Sequence, residues 1–168
     1  MKSADKKIMK EKVQYPNYQD MGLIRDDLTN TLQRIVAGDG GLDVLAKEYR
    51  GRRAARKFEH ILAAVFSLPE AEAKVEIEGL GTYRAYVTDV RVALDKDKEP
   101  IPMYEILVFR GNGEEFEDTD PEVYYDNSWG WNLMEGIHDG VNKLYDALEH
   151  VYHKDFNALP EDMREVRY

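Results

Sequence analysis

The sequence predicts an α+β domain in the order ααβββα: two N-terminal helices, a three-stranded antiparallel meander and a C-terminal helix, with extended N- and C-terminal arms. Three observations predict it. Apolar residues recur at helical spacing over residues 21–66, switch to a period of two from Lys74, and return to helical spacing from Met134. Turn residues sit at the switches, in Leu68-Pro69, Gly79-Leu80-Gly81 and the charged stretch from Asp95 to Pro100. The pattern divides the chain into an arm over residues 1–20, one domain over 21–153 and a tail over 154–168.

The arm carries five lysines and then Tyr15, Pro16 and Tyr18, which suit an extended segment better than a helix. In residues 21–37 Ile24, Leu28, Leu32, Ile35 and Val36 form one apolar stripe, and the glycines of residues 38–41 stop the helix. A second helical region starts with Leu42, Leu45 and Tyr49 and continues more strongly through Phe58, Ile61, Leu62, Val65 and Phe66, with Gly51 placed to break or kink it.

Val75 and Ile77 then alternate with Glu76 and Glu78. Along residues 82–94 the apolar parity slips: Tyr83, Ala85 and Val87 share one phase, Val90, Val92 and Leu94 the other. One extra residue near Thr88-Asp89 reconciles the two, so a β-bulge is expected there. Residues 102–109 are apolar on both parities except Glu105, which predicts a central strand covered on both faces. Residues 111–126 read as an acidic loop. The last helix follows, with Ser128 as the expected N-cap and Met134, Ile137, Val141, Leu144, Tyr145 and Leu148 as core positions. Gly136 and Gly140 mark a close approach by a neighbouring element.

A chain of 168 residues, 43% hydrophobic and 33% charged, buries a real core beneath a strongly solvated exterior. Its net charge of −10 repels phosphate backbones, so direct nucleic-acid binding is disfavoured. There are no cysteines, which removes disulfides, thiolate metal sites and cysteine nucleophiles. The lysine-bearing start has no apolar signal core, and no apolar run reaches the roughly 18–20 residues that span a bilayer. A soluble cytoplasmic protein, virion-associated if viral, is the expectation, with no membrane and no cofactor.

No catalytic set emerges. The serines, Ser3, Ser67 and Ser128, sit in an arm, at a helix end and at an expected cap, and no phosphate loop occurs. Glu149, His150 and His153 could share a metal, yet the spacing differs from that of helical zinc motifs, so no metal site is expected. Residues 50–57 form the dense basic stretch, with Arg50, Arg53 and Lys57 on one helix face and Arg52 and Arg56 beside it. Gripping phosphate, pairing with the chain's own acidic loop and pairing with an acidic partner are its readings.

The partner-binding candidates are the aromatics Tyr124, Tyr125, Trp129 and Trp131, the loop carboxylates Glu114, Glu117 and Asp118, and the arm tyrosines Tyr15 and Tyr18. A hydrophobic staple at the helix start is the structural reading of the tryptophans. Together these features point to a non-enzymatic, protein-binding subunit of a larger assembly, such as a virion connector or tail component, that meets a protein partner or itself. An acidic inhibitor that mimics nucleic acid on a basic enzyme is the alternative.

Overall fold

The computed structural model describes residues 12–38, 41–112, 115–118 and 131–165. A short strand β1 (Val13–Gln14) leads into three helices, α1 (Tyr18–Ala37), α2 (Leu42–Ala46) and α3 (Arg52–Phe66). The strands β2 (Ala73–Ile77), β3 (Gly81–Leu94), β4 (Pro100–Asn112) and β5 (Glu115–Asp118) follow, then the long helix α4 (Leu133–Ala158) and a last short strand β6 (Arg164–Glu165). The chain is therefore a mixed α+β fold around an antiparallel meander. The expected order is not matched, because a third helix precedes the sheet, a fourth strand joins it and two further strands pair apart from it.

Strands β2 to β5 form one antiparallel sheet in sequence order, whereas β1 and β6 form a separate parallel pair. The parity slip in β3 is a bulge, as expected: the register with β4 shifts between Val87 and Asp89. One face of the sheet carries Ala85, Val90, Tyr104, Ile106 and Val108 into the core, where α3 and α4 cover it. The other face of β4, from Ile101 through Met103 and Leu107 to Phe109, is only half-buried. The expectation of a strand covered on both faces is thus corrected. Apolar residues on both parities here reflect a core face backed by a partly exposed one.

Helix α1 starts three residues earlier than expected, because the Asn17 side chain accepts hydrogen bonds from the backbone N–H groups of Gln19 and Asp20. Its buried positions are Met21, Leu28, Thr29 and Leu32, so the stripe is rotated from the one expected and leaves Ile24 and Ile35 exposed. Gly51 breaks the second helical region outright. Its φ of 88° is one that a side chain resists, and it separates α2 from α3.

Helix α4 is the spine of the core. Gly136 and Gly140 bring it against α3, with an added Cβ at Gly136 only 3.0 Å from Leu62 and Phe58. The buried Tyr104 hydroxyl donates to the Gly136 carbonyl at 2.7 Å. Helix α4 opens at Asn132, whose side chain accepts the Glu135 N–H at 2.9 Å; that displaces the expected cap at Ser128, which lies outside the described residues.

Each arm is docked over part of its described length. Tyr15 packs its ring edge-on to Tyr152 and Phe156, and its hydroxyl reaches Glu149 and His153 at 3.2 Å. The expected tail begins inside α4, which runs on to Ala158 and holds Asp155 in a two-pronged ion pair with Arg110 at 2.7 and 2.8 Å. The buried Tyr83 hydroxyl donates to the same carboxylate at 2.7 Å.

Candidate functional site

The site is built around the break at Gly51. The preceding residues are stitched to two other parts of the fold. The Tyr49 N–H donates to the Trp131 carbonyl at 2.8 Å, with Glu48 bridged to Asn132, which ties them to the start of α4. The Gly51 N–H donates to the Lys98 carbonyl at 3.2 Å, which ties them to the β3–β4 turn. Asp95 shapes that turn by accepting the N–H groups of Asp97 and Glu99 with its carboxylate, and Lys98 adopts a φ of 63° within it. The Tyr49 ring is buried flat against Phe58, 5.0 Å between centroids.

This framework fixes Arg50. Its guanidinium lies over the Trp131 ring, 5.3 Å from the centroid, and its nitrogens approach Glu99 at 3.6 Å and Glu48 at 3.7 Å. Trp131 immediately precedes the α4 cap, where a hydrophobic staple would need a side chain four positions into the helix. That position is Gly136, which has none, so the tryptophan is held by Arg50 instead.

From Gly51 the chain enters α3, which buries Ala55, Phe58, Leu62, Val65 and Phe66. The helical period then turns Arg52, Arg53, Arg56, Lys57 and His60 outward together, and all five are exposed. Among the described residues none of the four cations forms an ion pair. Glu59, the carboxylate of this helix, is occupied by the Val92 N–H at 2.8 Å.

Locally this arrangement is unfavourable. The first turn of α3 holds no acidic residue and no side-chain cap, so the positive end of the helix dipole meets more positive charge. Arg52 with Arg56, and Arg53 with Lys57, are like-charge pairs one turn apart, each costing on the order of a few tenths of a kcal/mol. A charge pattern that opposes its own helix is a mark of a site shaped by something other than stability.

The other candidates lie elsewhere. Tyr15 is committed to α4, whereas Tyr18 is 91% exposed at the first turn of α1. Glu117 and Asp118 fall in β5, opposite Arg110 and Phe109, so part of the expected acidic loop is a strand. Glu114, Tyr124, Tyr125 and Trp129 lie outside the described residues. His153 contacts Tyr15 and Asn157, and among the described residues no group of three or more acidic or histidine side chains is placed to hold a metal. No described helix is long and apolar enough to cross a membrane. Sequence reasoning found the basic stretch but missed the Arg50–Trp131 stack, which joins residues far apart in the chain. Comparisons with protein families, with curated proteins and with solved structures find no match to this chain.

Proposed function

We propose that the chain is a non-enzymatic, protein-binding subunit of a larger assembly, and that the outer face of α3 docks an acidic surface of its partner. One observation carries this reading: four exposed cations share one helix face without an ion pair to any described residue, on a chain whose net charge is −10. Charges are screened over roughly 8–10 Å at physiological salt, so an approaching acidic surface meets this face locally before it meets the overall negative charge. The Arg50–Trp131 stack stands beside the face as an aromatic-guanidinium anchor of the type that dominates interface energetics.

The test is Arg53→Glu with Lys57→Glu, both exposed, compared with wild type for what each retains from the native source. The wild-type chain is expected to hold a defined protein whose retention weakens as salt rises, and the reversed chain to lose it. An unchanged set of partners would overturn the reading. So would a wild-type chain that stays monomeric and prefers a duplex oligonucleotide.

A further inference from the structure

The sheet has an open side away from α3. Strand β2 is an edge strand among the described residues, with β3 on one flank and no described strand on the other. A groove of about 930 Å3 runs along that flank, and residues 74–78 line it consecutively. Successive residues of a strand point to opposite faces, so a cavity lined by both parities faces the strand's edge, where its backbone lies. The volume is at the upper end of the range for ligand sites.

The groove has a far wall and two closed ends. Its far wall is the first turns of α1, with Met21 and Ile24, and the arm residues from Val13 to Asn17. At one end Val13 crosses the β2–β3 turn so closely that a Cβ on Gly79 would stand 2.6 Å from its methyl. At the other end Tyr145 meets the backbone of Lys74. Between these stops lies room for a short extended segment, at about 3.3 Å per residue.

The rim sets the charge of the occupant. Asp20, Glu76, Glu78 and Glu165 line the groove against Lys12 and Lys74, and Lys74 already leans to Glu76 at 3.4 Å. Ile24, on the far wall, offers an exposed apolar side chain. We infer that the β2 edge is a strand-addition site that takes an extended, lysine- or arginine-bearing peptide segment of another protein, pairing backbone to backbone around Glu76. The surface is separate from α3, and the inference stands whether or not the basic face docks a partner.

The probe is a labelled, end-capped Lys-Val-Lys-Val-Lys-Val peptide, titrated against the full chain by fluorescence anisotropy. Saturable binding is expected, weakened at least tenfold by Glu76→Lys with Glu78→Lys and at least tenfold by N-methylating alternate amides of the peptide. Hydrogen exchange of the Glu76 amide should slow in the complex. The Arg53→Glu/Lys57→Glu chain should bind the probe like wild type, which separates this site from the α3 reading. Equal binding of the N-methylated peptide would remove backbone pairing and overturn the inference. Equal binding of a Glu-Val-Glu-Val-Glu-Val peptide would overturn the charge argument and with it the assigned occupant. A dimer that dissociates on Glu76→Lys would assign the edge to a second copy of the chain, against the inference.

Discussion

Replacing Gly140 by alanine tests the contact on which the helical layer rests. Glycine is normally the worse helix residue by about 1 kcal/mol, so alanine should stabilise α4 if space allows. Space does not allow it. The new Cβ would stand 2.2, 2.6 and 3.1 Å from the Cζ, Cε2 and Cε1 atoms of Phe66. Phe66 is 4% exposed and its ring is backed by Tyr104 at 5.5 Å, so it cannot retreat without disturbing a second buried aromatic. Overpacking a core typically costs about 1–3 kcal/mol, and a clash this deep belongs at the upper end. After the propensity gain, Gly140→Ala should lose roughly 1–2 kcal/mol, a fall in Tm of about 2–8 °C for a domain of this size. Gly22→Ala is the control, because nothing lies within 4 Å of its added Cβ; it should gain up to about 1 kcal/mol. Urea unfolding with unchanged slope reads both. Shortening the ring with Phe66→Leu should recover at least about 0.5 kcal/mol of the Gly140→Ala loss in the double variant. If Gly140→Ala matches or exceeds wild type, as Gly22→Ala should, the packing argument is wrong.

Two further outcomes follow from the core. Asp155→Ala removes the carboxylate that Arg110 pairs with and that accepts from the buried Tyr83 hydroxyl, and because Arg110 is 39% exposed and can rehydrate, the expected loss in urea unfolding is about 2 kcal/mol; a neutral result would show that the carboxylate organises nothing. Alkali should destabilise the fold: burial, aided at Tyr86 by its hydrogen bond to Glu72, pushes the phenols of Tyr86 and Tyr145 up to about 12, and burial likewise raises those of Tyr15, Tyr83 and Tyr152. A raised folded pKa gives stability that is present below the unfolded value near 10 and lost as pH climbs through the folded one. The urea midpoint should therefore fall from about pH 10 upward, less steeply in Tyr145→Phe, and a midpoint flat to pH 12 would contradict this.

What the sequence disclosed was local. The slipped parity of β3 announced its bulge because side-chain period and register are one fact in a strand. The same logic misjudged β4, where alternate positions are apolar whether the second face is covered or merely half-buried. In α1 the choice between Ile24 and Met21 as the inward residue depends on where the sheet edge lies, which helical spacing does not encode. The docked arms, the Arg110–Asp155 pair and the Arg50–Trp131 stack join residues 45 or more positions apart or across several elements, and no short-range pattern marks them. The basic stretch was legible because charge on one helix face is itself a short-range pattern.

The β1–β6 pair has a consequence for the order in which the molecule opens. It closes a loop that spans nearly the whole described chain, yet it rests on two residue pairings, Val13 with Arg164 and Gln14 with Glu165, together with the Tyr15 contacts. Loop-closure cost rises only slowly with length, so what sets this latch apart is how few backbone pairings hold it. The latch is therefore the natural first unit to come undone, ahead of the α3–α4 core. Because the arm residues from Val13 to Asn17 also form one wall of the β2 groove, the breadth of that groove is set by the weakest closure in the structure rather than by its rigid centre.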